Sequence, residues 1–248
     1  MALLVTAFGL VAGLASAADE VIDVPSQNWS FDGLFGTFDR AATQRGLQVY
    51  QEVCASCHAL DYVAFRHLEQ IGFTPAEVKS IAAGYIITDG PNDEGEMFDR
   101  AGVPADFFPA PYANEQQGRS VNNGAWPPNL SLMTRARSGG ADYLYALLNG
   151  YEDPPAGTEV SEGMAYNAYY SGHMIAMAAP LIDGQVSYND ETEATAQQMA
   201  WDVVTFLSWA ADPHMEARKQ MGIKVIIFLL ALVAVMYMVK RQVWSEED

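Results

Sequence analysis

From Met221 to Val239 the chain runs nineteen residues with one charge, Lys224, near its edge. At a helical rise of about 1.5 Å per residue the run spans about 28 Å, close to the ~30 Å hydrocarbon core of a bilayer. A backbone in lipid has no water to bind, so the segment must satisfy its own N–H and C=O groups, which a helix does. Arg218 and Lys219 precede it and Lys240 and Arg241 follow it, while Tyr237 and Trp244 stand where aromatic belts form. Lys224 can snorkel to the headgroups. A core helix of a soluble protein is the competing reading, and the bracketing bases argue against it.

The other uncharged run is at the start. Met1 to Ala18 ends in Ala15-Ser16-Ala17, the small-x-small pattern that signal peptidases accept, although the usual opening basic region is missing. The expected organisation is therefore an export signal over 1–18, a domain outside the cytoplasm over 19–217, a membrane anchor with basic flanks over 218–241, and a cytoplasmic tail over 242–248. With 50% apolar and 11% aromatic residues the domain can bury a core, which excludes a disordered chain. Its 31 acidic and 13 basic side chains argue against nucleic acid, since phosphate binding needs clustered Lys and Arg.

The only two cysteines are Cys54 and Cys57, and His58 follows at once. At this spacing each thiol can add across one vinyl group of a haem edge, and the adjacent imidazole is placed to coordinate the iron. A zinc site would need two further ligands at compatible spacing, and no second Cys-x-x-Cys or His-x3-His exists. An exported redox dithiol is the remaining alternative, and the trailing histidine and the lack of a βαβ pattern count against it.

Periodicity predicts a mainly α domain with long loops. Helices are expected over Asp39–Val53, leading into the haem motif, from the Thr74-Pro75-Ala76-Glu77 capping box to about Ala83, over Asp142–Leu148 closed by Gly150, and over Thr195–Ala211. The segments 89–129 and 150–188 read as loops, long enough to serve a cofactor or a partner. A second axial ligand is needed. His214 reads as a polar cap beside the anchor and His67 as a surface or hydrogen-bonding residue. The apolar stretch Gly172–Leu181 offers Met174, Met177 and His173, and residue chemistry alone does not choose among them. Histidine would lower the potential, and a thioether would raise it.

Several blocks together resemble the cytochrome c1 family. They are Tyr50 to Leu68 around the haem motif, Asn122-Asn123-Gly124-Ala125-Trp126-Pro127-Pro128-Asn129-Leu130-Ser131, Arg135 to Tyr143, Ile175 to Leu181, and Trp209 to Pro213 with Arg218 to Gly222. The resemblance runs from about Trp29 to Trp244. It implies a class I cytochrome c-like domain carrying one covalent haem c, with thioether bonds at Cys54 and Cys57. It further implies ligation by His58 and Met177, with Arg137 near the haem propionates and Asn122, Pro128 and Tyr143 lining the crevice. Many relatives have a second proline before Pro180, where this chain has Ala179. Some bacterial relatives brace this loop with a disulfide, for which no cysteine is left here.

The implied role is non-catalytic: one electron passes from the Rieske iron-sulfur protein through the haem to a soluble or tethered cytochrome c, beside cytochrome b in a dimeric respiratory complex. The expected location is the bacterial inner membrane with the domain in the periplasm, or the mitochondrial inner membrane. Residues 19–217 carry 28 acids against 8 bases, a net of −20, concentrated in Asp89, Asp93, Glu94, Glu96 and Asp99. Such a field steers a basic cytochrome c, although solubility is the plainer explanation for any single acid. Rival readings are a membrane-anchored monohaem cytochrome serving a terminal oxidase, a tethered haem enzyme or gas-binding protein with an open distal site, and a non-haem dithiol protein.

Overall fold

The structure is a computed structural model and describes residues 22–245. The expected export signal and the last three residues of the expected tail lie outside the described residues.

Helix α1 spans Arg40–Glu52, and the carboxylate of Asp39 caps it by accepting from the N–H groups of Ala41 and Ala42. Thr43, Gly46, Leu47 and Tyr50 recur at helical spacing and are buried. The chain then passes through a 3₁₀ turn at Cys54–Ser56 and a longer one at Phe65–Ile71. In the latter Phe65, Leu68 and Ile71 stand three apart, matching the threefold turn of a 3₁₀ helix, and all three are buried. Helix α2 covers Pro75–Ala83 behind the reciprocal Thr74–Glu77 capping box read from the sequence. Strands β1, Ile86–Asp89, and β2, Phe98–Ala101, form an antiparallel hairpin pairing Ile86 with Ala101 and Asp89 with Phe98.

Two short helices follow, α3 at Glu115–Val121 and α4 at Met133–Ala136, and then α5 at Gly140–Asn149. A two-residue ladder joins β3, Ala165–Tyr166, to β4, Met174–Ile175. Helix α6 runs Ala196–Ala211 behind the hydroxyl of Thr195, which accepts from the N–H of Gln198. Helix α7 is Met215–Trp244.

The core is the crossing of α1 and α6. A Cβ on Gly46 would lie 2.0 Å from the Asp202 carbonyl oxygen and 2.7 Å from the Phe206 Cβ, so the backbones meet where only glycine fits. Fully buried Tyr50, Phe206 and Trp209 fill the seam. Arg45 on α1 grips the fully buried carboxylate of Asp202 on α6 through two donors at 2.9 Å each. A buried charge costs several kcal/mol unless paired and hydrogen-bonded, and this pair meets both conditions. Trp29 stacks on Trp201 at 4.2 Å and meets Tyr145 edge-on at 5.9 Å, while its indole N–H donates to Asp142 at 2.7 Å. The N-terminal segment, α5 and α6 are thereby joined.

The four helices expected from periodicity are present, with α5 starting two residues earlier than expected. The two segments read as loops hold β2, α3, β3 and β4. Their signals are weak for a physical reason: β1 and β2 alternate no buried face, and Arg100, bonded to Asp89 and Asp106, closes the hairpin instead. Helix α7 is longer by three residues at each end than the anchor read from the sequence. It is long and apolar enough to cross a membrane, and its side chains beyond Met215 are not buried in the protein.

Candidate haem site

Helix α1 delivers the chain into the Cys54–His58 turn. The amides of Cys57 and His58 both donate to the Cys54 carbonyl, at 3.1 and 2.9 Å, and the Ser56 hydroxyl donates to the Val53 carbonyl at 3.0 Å. Two free thiols and an imidazole are thus wound into a single tight turn. Packing against the core pushes the Cys54 thiol up to about 12, and the neighbouring Cys57 adds to the shift. Burial thus disfavours the thiolate at Cys54.

His58 Nδ1 lies 2.7 Å from the Pro128 carbonyl oxygen. A carbonyl only accepts, so Nδ1 holds the proton and Nε2 keeps its lone pair, as a metal-ligating histidine requires. Burial holds the imidazole below its ordinary pKa, partly offset by the same carbonyl, and so keeps it neutral. The segment supplying that carbonyl is zipped to the motif. Leu130 N–H donates to Ala59 at 2.9 Å, Tyr62 N–H donates to the Ser131 hydroxyl at 3.1 Å, and the Asn129 amide donates to Asp61. The Tyr50 hydroxyl reaches the His58 carbonyl at 3.2 Å from α1.

Met177 lies half-buried just after β4. Its carbonyl accepts a hydrogen bond from the Tyr151 hydroxyl at 3.1 Å. Tyr151 stands immediately beyond the end of α5 and pairs with Asn167, whose buried amide donates to Leu147 at 2.8 Å and accepts from the Tyr169 N–H at 3.0 Å. Gly150 is needed for this packing, since a Cβ there would lie 2.6 Å from the Tyr169 ring and 2.9 Å from the Asn167 amide oxygen. Of the other candidates in the stretch, His173, in the left-handed region at φ 58°, stacks on Tyr166 at 5.5 Å and places Nδ1 3.2 Å from the Asn167 carbonyl. Met174 pairs through its backbone with Tyr166 in the β3–β4 ladder.

Arg137 ends α4 on the surface. Arg40, Arg45, Arg100, Arg119 and Arg135 each sit on a carboxylate, whereas Arg137 has no ion pair among the described residues. Its charge reaches Tyr143, opposing the burial that raises that phenol, and Tyr143 in turn acts on Tyr151. Arg137, Tyr143, Tyr151 and Met177 therefore form one neighbourhood, and His58 and Pro128 form another. Asn122 belongs to neither by direct contact: its amide donates to the Tyr112 hydroxyl at 2.9 Å and to the Gly118 carbonyl at 2.7 Å, closing α3. The Trp126 ring packs so tightly on the same Gly118 that a Cβ there would lie 2.0 Å away. His67 is a hydrogen-bonding residue, accepting from the Ala64 N–H at 3.2 Å.

Sequence reasoning missed Tyr151 and Asn167, and it placed Pro128 in the crevice without seeing that its carbonyl fixes His58. A backbone carbonyl has no side-chain signature, and a tyrosine one residue past a helix stop has no spacing rule that marks it. A cavity of about 430 Å³ lined by Trp29, Phe31, Asp142, Asp212 and Met215 lies near the start of α7, away from the haem motif.

The donor set suits a haem, and comparison with known proteins points to a haem-protein family. The Cytochrome C1 family model matches residues 29–247. The chain is 48% identical over 239 residues to a mitochondrial cytochrome c1 heme protein of Arabidopsis thaliana, covering 96% of this chain and 77% of the relative. It is 42% identical over 252 residues to cytochrome c1 of Rhodospirillum rubrum, covering 95% and 93%. A cytochrome b/c1 of Bradyrhizobium diazoefficiens is 49% identical over 252 residues, which cover 92% of this chain and 37% of that longer protein. With the match spanning nearly the whole described domain and its anchor helix, this chain belongs to the cytochrome c1 family.

Proposed function

We propose that this chain is the haem-bearing electron relay of a quinol-oxidising respiratory complex. One covalent haem c, bonded through Cys54 and Cys57, supplies a one-electron ferric/ferrous couple when bound. His58, oriented by the Pro128 carbonyl, and Met177, on a loop whose backbone accepts from Tyr151, would supply the imidazole and thioether that hold its iron. Arg137 pairs with propionate through a planar fork of donors, the geometry suited to carboxylates. Tyr143 and Pro128 help wall the crevice, and Asn122 sets the loop leading to it.

No substrate bond changes, so the protein's work would be to hold the group through these residues and shield it from water. The electron comes from the Rieske iron-sulfur protein and leaves to a basic cytochrome c, while α7 holds the domain against cytochrome b in a dimeric complex. The domain faces the periplasm, or the corresponding side of the mitochondrial inner membrane. The single observation that carries the reading is the His58 ring, fixed through Nδ1 by the Pro128 carbonyl at 2.7 Å beside two free thiols in one turn.

The test is a redox-resolved optical spectrum of the detergent-purified protein, with a pyridine haemochrome on haem retained after denaturation. A covalent c-type haem that does not bind carbon monoxide when reduced is expected, and Met177→Leu should lower the potential and admit carbon monoxide. A colourless polypeptide, or iron bound by two imidazoles, overturns the reading. Co-purification with a di-haem cytochrome b and an iron-sulfur protein separates the quinol-oxidising assembly from a shuttle serving a terminal oxidase.

A further inference from the structure

One sequence motif has no part in holding the haem: Asp32-Gly33-Leu34-Phe35-Gly36. It forms a turn whose base is closed by Thr37 N–H donating to the Ser30 carbonyl at 3.0 Å. Gly33 takes φ 69°, and a Cβ on Gly36 would lie 2.0 Å from the Asp32 carbonyl oxygen, so both glycines are required by the tightness of the turn. The flanks are welded into the core. The Phe31 ring packs 5.4 Å from Trp29 and 5.2 Å from Phe38, which is itself buried. The tip has no such packing: Leu34 is 57% and Phe35 80% exposed. Two adjacent large apolar side chains are thus presented to the outside by a turn that cannot fold them back.

What they face follows from the helix beside them. The Lys219 ammonium donates into the turn, to the Phe31 carbonyl at 2.7 Å and the Gly36 carbonyl at 3.2 Å. One step further along the chain, the Phe38 N–H donates to the Glu216 carboxylate at 2.8 Å, and Arg40 pairs with the same carboxylate. Lys219 precedes the apolar run by two residues, or about 3 Å of helical rise. The turn is therefore clamped by its base to α7, two residues before the apolar run of that helix begins.

We propose that the 32–36 turn is a second membrane contact, inserting Leu34 and Phe35 into the lipid interface beside α7. Two contacts fix the tilt of the domain, which a single helix leaves free to rotate about its own axis. The occupant is lipid, since the base of the turn is bonded to Lys219, about 3 Å of helical rise before the apolar run of α7. At the base of the turn the Phe31 and Gly36 carbonyls accept from Lys219 and the Thr37 N–H donates to Ser30, which leaves the tip backbone at the hydrated level of the interface while the two side chains enter.

This inference rests on the reading of α7 as a membrane anchor, and the experiment separates the two. In the intact complex reconstituted in phosphatidylcholine nanodiscs, a nitroxide is attached at Phe35→Cys, with Ile86→Cys on the hairpin as the water-facing control and Leu229→Cys as the lipid-facing one. Oxygen and a water-soluble nickel complex then compete to relax each label. The expected result is a label at 35 relaxed severalfold more by oxygen relative to nickel than the label at 86, approaching the label at 229. Equal nickel access at 35 and 86 overturns the turn insertion while leaving the anchor intact. Shielding of 35 from both relaxants overturns it too, by showing that protein covers the tip. Nickel access at 229 removes the anchor itself. Should the added cysteine disturb haem loading, Phe35→Trp replaces it, with fluorescence quenching by brominated lipid expected to exceed that of the parent and of Ile86→Trp.

Discussion

At the scale of single residues, the proposed ligands His58 and Met177 are each held by a hydrogen bond from a distant part of the chain. Tyr151 donates to the carbonyl of Met177 and is the one hydrogen bond from a side chain onto that residue among the described residues. Net hydrogen bonds of this kind contribute about 0.5–1.5 kcal/mol. Tyr151→Phe should therefore loosen the sulfur loop and raise the affinity of the oxidised protein for added imidazole, which competes with Met177, by about two- to tenfold. A titration followed optically checks this, and an unchanged affinity means that the loop is held by packing alone. The Cys54-x-x-Cys57-His58 motif was legible because its chemistry is local. Pro128 and Tyr151 were not, because their contributions exist only once seventy residues in one case and twenty-six in the other have been brought together by the fold.

At the scale of elements, α1 and α6 depend on one missing side chain. Gly46→Ala would drive a methyl group into the Asp202 carbonyl and the Phe206 side chain, forcing the helices apart. Overpacking typically costs about 1–3 kcal/mol, and a backbone clash without room to relax lies at the upper end. The denaturation midpoint should fall accordingly, with haem ligation in the folded fraction retained. The β1–β2 hairpin rests on charge instead. Arg100 beside Asp106 holds that carboxyl down at about 2, against an ordinary 3.8. A depressed folded-state value means that the stabilisation is complete above about 3.8 and is lost as pH falls toward about 2. Corrected hydrogen-exchange protection of amides 86–101 should drop through that window while α1 and α6 hold, and Asp106→Asn should give the low-pH protection at every pH. The amphipathic helices were readable from spacing. The hairpin was not, because ion pairs carry no periodicity.

Over the whole molecule, the sequence shows a strongly acidic domain on one apolar helix, and the fold fixes how the two are joined. Lys219 and Glu216 tie α7 to the first turn of the domain, and Arg218 and Arg135 share Asp212 at the α6–α7 corner. The net −20 of residues 19–217 predicts that electron transfer to a basic cytochrome c slows steeply with salt. Taking the Debye length from ~30 to ~8 Å should reduce the second-order rate by about an order of magnitude or more. Stopped-flow mixing at the two ionic strengths measures this, and a salt-independent rate removes electrostatic steering.

The amino-acid order by itself determined the haem motif, the amphipathic helices and the long apolar helix, because each is written in residues that are neighbours along the chain or repeat at a fixed period. Only the tertiary structure decided which nitrogen of His58 carries its proton, which donor of the Gly172–Leu181 stretch has its backbone pinned beside Tyr151, and where the Leu34–Phe35 tip sits on α7. Those depend on distances between groups far apart in sequence, and such distances are set by core packing.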